Sequence, residues 1–161
     1  MSEKTFTFLV PVDDSEGTLA ALRYASRRAH EMKGRVALLA IVEAKEIETW
    51  GGVERAMADE AFDQARKEMV RFEQLARELS QADVQTYYYK GEPRAVLLDL
   101  IATEKEISIL VLPAQTKDGQ RHPLVQDLTS EKGLKKLTIP LVIVPAACRC
   151  DDSQTAPIPS A

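Results

Sequence analysis

"GEPRAVLLDLIATEKEISILVLP", residues 91–113, decides the fold. Gly91-Glu92-Pro93 turns the chain, and a proline at the first helical position opens a helix because its missing N–H is not needed there. Val96, Leu97, Leu100 and Ile101 then share the inward face of that helix. The run Ile107–Leu112 is apolar without alternation, which marks a strand covered on both faces. A helix feeding such a strand is the crossover unit of a parallel sheet.

Upstream, Thr5–Val12 combines β-branched and aromatic residues as a strand, with Pro11 tolerated near its end where the ladder is closing. "DDSEG" turns the chain, and Ser15 is a suitable N-cap for a helix from Glu16 to Lys33 carrying Leu19, Leu22, Ala25, Ala29 and Met32. Gly34 supplies the stop, and Val36–Val42 is another continuous apolar strand. A long helix begins near Val53 with the stripe Met57, Ala61, Ala65, Met69, Phe72, Ala76 and Leu79. Asp63 with Lys67 and Glu73 with Arg77 form pairs four apart on its surface. Val84–Lys90 is a strand on which Tyr87 and Tyr89 share one face and Tyr88 takes the other.

Downstream, Thr116–Ser130 reads as a loop, followed by a short helix in "SEKGLKKL" and a strand over Ile139–Pro145. Gly133 weakens that helix by about 1 kcal/mol relative to alanine, which a close packing contact would explain. Five strands alternating with four helices predict an α/β fold: a doubly wound, mostly parallel five-stranded sheet with helices on both faces. Its crevice lies beyond the C-terminal strand ends, where the strand order reverses. Asp13, Asp14 and Ser15, then Glu43 and Ala44, Gly91, and the chain from Pro113 onward arrive at that edge.

The 161 residues suffice for one core, and 45% hydrophobic with 29% charged residues is ordinary globular composition. A net charge of −4 without a basic stripe argues against nucleic-acid binding. The amino-terminal stretch lacks the pattern of a secretory signal, and no run of 18 apolar residues predicts a membrane span, so a cytoplasmic location is expected. Cys148 and Cys150 close only a tiny strained ring and read as ordinary thiols. The domain is expected over residues 1–147, with 148–161 as a flexible tail.

The ordered set "FLVPVDDSEGTLAALRYASRRA", "VALLAIVE", "GEPRAVLLDLIATEKEISILVLP" and "SEKGLKKLTIPLVIVP" resembles the universal stress protein family from Lys4 to Ala147. The resemblance implies strand order 3-2-1-4-5 and a homodimer paired through the fifth strands. It also implies two classes. One binds ATP or a related adenine nucleotide through the aspartate ending the first strand, backbone at the end of the second, and a glycine-rich loop after the fourth; the other lacks that loop and binds no nucleotide. This sequence keeps Asp13 and Val42-Glu43 but departs at the loop: Pro113 and Thr116 stand where the first two glycines belong, and Gln126-Asp127 or Asp127-Leu128 where the Gly-Ser pair belongs. Glycines let amides turn onto phosphate oxygens, Pro113 has no N–H to offer, and Asp127 opposes phosphate charge.

The expectation is therefore a non-enzymatic stress-response protein that acts through homodimerisation and an unidentified protein partner, without ordinary ATP binding and with no cofactor or metal. The dimer seam is placed on Leu141, Val142, Ile143 and Val144, whose edge invites a second copy. The alternative is an adenine-nucleotide sensor taking ATP with Mg²⁺ through Asp13, Val42, Glu43, Lys117, Gly119, Arg121, Thr129 and Ser130. His122, beside Pro123, reads as a solvent-facing or locally bonded imidazole, and a hydrolase triad has no members to assemble. Trp50, in the charged loop with Lys45, Glu46 and Glu48, is read as packing.

Overall fold

The computed structural model describes residues 5–13, 15, 17–43 and 54–149, with the side chains of 54–58 excepted. Asp14, Glu16, Ala44, Lys45, Glu46, Glu48, Trp50, Val53, the side chain of Met57 and residues 150–161 of the tail therefore lie outside the described residues. The elements are β1 (Thr7–Val12), α1 (Gly17–Met32), β2 (Arg35–Val42), α2 (Glu54–Ser80), β3 (Val84–Lys90), α3 (Pro93–Thr103), β4 (Ile107–Pro113), α4 (Pro123–Leu128), α5 (Glu131–Lys136) and β5 (Leu141–Val144). All pairings are parallel, in the order β3-β2-β1-β4-β5.

Alternating strand residues divide the core in two. Phe8, Val10, Val36, Leu38 and Val111 face α1 and α2, where Leu22, Ala25, Met69 and Phe72 meet them. Leu9, Leu39, Leu110 and Leu112 face the opposite layer, against Leu97, Leu100 and Ile101 of α3 and Leu124, Val125 and Leu128 of α4. That burial on both sides is why the middles of the central strands β1 and β2 carry no polar residues. Tyr87 and Tyr89 stack on one face with centroids 6.3 Å apart, while Arg66 of α2 lies over the Tyr88 ring on the other.

The sheet opens where its order reverses. β1 pairs with β2 through Val12, but its pairing with β4 ends at Leu9, so Pro11 sits where that second ladder has already stopped. The missing proline N–H therefore costs no ladder bond to β4, and the two strands part at their C-terminal ends.

Several local expectations are corrected. Among the described residues there are five helices rather than four: Pro123–Leu128, within the stretch taken as a loop, is α4, opened by Pro123 at its first position and by the His122 ring, which accepts the Leu124 N–H at 3.2 Å. The Ser15 hydroxyl does not serve as a free helix cap but donates to Asp13. Lys33, with φ 55°, makes the left-handed turn that ends α1. Gly34 is needed next to it because a Cβ would collide with the Phe6 carbonyl oxygen of the neighbouring strand entrance. Asp63 pairs with Arg66 instead of Lys67, three residues away on the helix, whereas Glu73–Arg77 forms at 2.7 Å. Among the described residues no helix is long and apolar enough to cross a membrane.

Candidate functional site

Beyond the ends of β1 and β2 lies a crevice of about 800 Å³. Its apolar walls are Pro11, Val12, Leu39 and Ile41 from the strands, Pro93 from α3, and Pro123 and Leu124 from α4. Asp13, Ser15, Glu43, Glu92, Thr116, Lys117, Asp118, His122 and Asp127 supply its polar rim. Volume and lining are those of a small-molecule site: apolar surfaces for a ring and a few polar groups to orient it.

Asp13 is the centre of the polar arrangement. Its Oδ1 accepts the Ser15 N–H at 2.9 Å, the Thr18 hydroxyl at 2.7 Å and the Ser15 hydroxyl, and its Oδ2 accepts from His122 Nε2 at 2.6 Å. His122 Nδ1 accepts the Leu124 N–H. A ring that accepts on Nδ1 carries its proton on Nε2, so the contact to Asp13 is a hydrogen bond from a neutral imidazole. Partial burial raises the Asp13 pKa, but the hydrogen bonds from His122, Ser15 and Thr18 outweigh it and hold the carboxyl well below its ordinary 3.8. Of the two readings of His122, the locally bonded imidazole holds and the solvent-facing one does not, since the residue is 5% exposed. Both ring nitrogens are engaged, leaving no free base to activate a nucleophile.

The segment between β4 and α4 folds on itself. Gln115 and Arg121 form an antiparallel bridge. Thr116 N–H donates to the Gln120 carbonyl at 2.7 Å, Gly119 N–H to Thr116 at 3.0 Å, and His122 N–H to Ala114 at 2.9 Å. Ala114 N–H is taken by Val144 and Leu124 N–H by the His122 ring. A phosphate cradle needs several amides turned outward together. Here those of residues 114, 116, 119, 122 and 124 are satisfied within the fold.

Of the residues expected to hold a nucleotide, Asp13, Glu43 and Lys117 line the crevice. Val42 is buried and its carbonyl accepts the Gly91 N–H at 3.0 Å. Gly119 (φ 76°) forms the hairpin tip, with open space around it. Arg121 is exposed on the outer hairpin arm. Thr129 donates to the Val125 carbonyl at 2.6 Å, and Ser130 caps α5 by accepting the Gly133 N–H at 3.1 Å. None of these last four lines the crevice. The residue that reasoning from the sequence missed is His122; its signal was the pair His122-Pro123, an N-cap followed by a proline at the first helical position. Among the described residues no group of three or more His, Cys, Asp or Glu side chains is arranged to hold a metal ion.

Residues 5–145 match the profile of the Universal stress protein family. No curated protein is similar enough to count as a match. Among solved structures, the universal stress protein UspA from Lactobacillus plantarum is 17% identical with a TM-score of 0.71, over 89% of this chain and 99% of that one. A universal stress protein in complex with cAMP is 17% identical with a TM-score of 0.52, over 90% of this chain and 100% of that one. The universal stress protein from Archaeoglobus fulgidus in complex with dAMP is 14% identical with a TM-score of 0.51, over 89% and 99% respectively.

Proposed function

The chain belongs to the universal stress protein family, and from that premise we propose that it is a non-enzymatic regulator whose crevice binds an adenine nucleoside monophosphate in preference to ATP. The relatives seen with cAMP and dAMP favour a nucleotide ligand over an empty crevice. The internal bonding of the β4–α4 amides is the observation that carries the preference for one phosphate over three.

Charge supports the same choice. Glu43, Asp118 and Asp127 line the crevice, and Lys117 is the lysine that faces them. Glu92 also lines it, but its carboxylate is tied to the Arg94 and Ala95 amides at the start of α3. A phosphate charge about 5 Å from one carboxylate costs about 3 kcal/mol at an effective dielectric near 20. Lys117 offsets part of one such encounter. Each further phosphate adds charge that, among the described residues lining the crevice, neither a second lysine nor converging amides neutralise.

Calorimetric titration of the purified chain tests this reading. AMP is expected to bind saturably and at least ten-fold more tightly than ATP with Mg²⁺. Lys117→Ala is expected to weaken AMP by about five-fold, the worth of a partly exposed ion pair of about 1 kcal/mol. Tighter binding of ATP than of AMP would overturn the proposal, and no saturable heat with either would restore the reading without nucleotide.

The same reading includes a homodimer joined through β5. The Pro140 and Val144 carbonyls accept from β4, so by strand alternation Leu141 and Ile143 direct their backbone groups to the free edge. Ile143 is 41% exposed there, and Leu134 of α5 is 56% exposed. Ile143→Pro removes an outward N–H without touching the β4 ladder. Light scattering is expected to give a dimer mass for the parent chain and a monomer mass for this variant; a dimer that survives the substitution places the seam elsewhere.

A further inference from the structure

Resting on the nucleotide reading, we propose that His122 is a positioning residue for the crevice ligand: its bond to Asp13 holds the β4–α4 hairpin, and with it Lys117, against the end of β1.

The hairpin is a unit. Its arms are joined at Gln115–Arg121, its tip is closed by the Thr116–Gln120 and Gly119–Thr116 bonds, and the Gln115 side chain reaches the Gly119 carbonyl at 3.3 Å. A unit so cross-linked moves as one body, so Lys117 goes where the base of the hairpin goes. His122 stands at that base, buried, and bonds a residue 109 positions earlier in the chain. Asp13 Oδ1 itself accepts three hydrogen bonds, two from Ser15 and one from Thr18, which fix the carboxylate so that Oδ2 faces His122. The hydrogen bond is therefore a strut between two ordered parts, where a mobile lysine loop would lose ordering entropy on each binding event.

The two ring nitrogens have separable duties. Nδ1 caps α4 through the Leu124 amide, whereas Nε2 braces the hairpin through Asp13. Asparagine places its amide oxygen close to the position of Nδ1, and glutamine places its amide nitrogen close to that of Nε2. His122→Asn thus keeps an acceptor for the helix and loses the strut; His122→Gln keeps a donor to Asp13 and loses the cap.

The test measures AMP dissociation constants and thermal midpoints for the full chain, His122→Asn and His122→Gln, each with and without Lys117→Ala. His122→Gln is expected to stay within about three-fold of the parent affinity. His122→Asn is expected to weaken AMP about five-fold, and adding Lys117→Ala to it is expected to cost less than two-fold more, because the lysine no longer reaches its place. A merely structural histidine would make affinity follow the thermal midpoint in both variants, with Lys117→Ala fully additive, and that result would overturn the proposal. Should His122→Asn fail to fold, a folded His122→Gln that has lost AMP binding would overturn it equally, and retained affinity would support it. Failure of the parent chain to bind AMP would remove the nucleotide reading and this role together, whereas parent binding with additive variants would remove the role of His122 alone.

Discussion

Asp13→Ala is expected to lower the free energy of unfolding by about 3 kcal/mol at neutral pH. The substitution strands donors that the fold has buried: the hydroxyls of Ser15 and Thr18, whose residues are 9% and 1% exposed, and Nε2 of His122. A buried donor without a partner costs about 1–3 kcal/mol. The full sum is not reached, because the Ser15 and Thr18 hydroxyl oxygens lie 2.9 Å apart and can bond each other. The Asp13 side chain is also 39% exposed, so water reaches part of the vacated space. Urea unfolding measures the loss, and a change below about 1 kcal/mol would mean that water replaces the carboxylate without strain.

The same carboxylate sets a pH dependence. Its folded pKa is depressed below 3.8, so the unfolded chain takes up its proton first on acidification. The stabilisation is complete above the unfolded value and is lost as the pH falls through it toward the folded one. Stability of the parent chain is therefore expected to decline from about pH 5 downward. The decline should be shallower in Asp13→Asn, which cannot titrate at this position; parallel curves would remove Asp13 as its source.

Gly133→Ala is expected to destabilise the protein by about 2 kcal/mol, although alanine is the better helix former by about 1 kcal/mol. A Cβ at this position would collide with the Asp127 carbonyl oxygen and lie 2.7 Å from Leu128 Cα and 2.9 Å from its carbonyl carbon. These are backbone atoms of α4, which cannot rotate aside as a side chain would. Separating α4 from α5 incurs an overpacking cost of about 1–3 kcal/mol or more, exceeding the gain in propensity. Because Pro123, Leu124 and Asp127 wall the crevice, AMP affinity is expected to fall as well. A stabilised Gly133→Ala protein would show that the two helices part at little cost.

The layered sheet was legible because its signals are local or periodic. Leu97, Leu100 and Ile101 repeat at helical spacing, and Ile107–Leu112 has the continuous apolar run of a doubly covered strand; all three of the former are buried, with strand β4 observed over Ile107–Pro113. Pro93 was readable as a helix start for the same reason. The six-residue α4 was not, since it spans less than two turns and its apolar Leu124, Val125 and Leu128 show no sustained period. Nor was the histidine strut, which joins β1 to a loop more than a hundred residues later. Asp13 and Glu43 line the crevice because strand ends in a parallel sheet converge on one edge, and Lys117 joins them from the hairpin; Gly119, Arg121, Thr129 and Ser130 stand outside that lining because the way the hairpin folds back depends on contacts outside it.

The amino-acid order by itself determined the five strands and the longer helices between them, that the strands run parallel, and which edge of the sheet carries the crevice, because hydrophobic period and crossover length leave few other solutions. Only the tertiary structure decided what that edge offers a ligand. Whether a loop amide points at a phosphate or at its own hairpin, and whether an imidazole meets water or a carboxylate, depends on groups brought together from distant parts of the chain, where neighbouring residues exert no directional control.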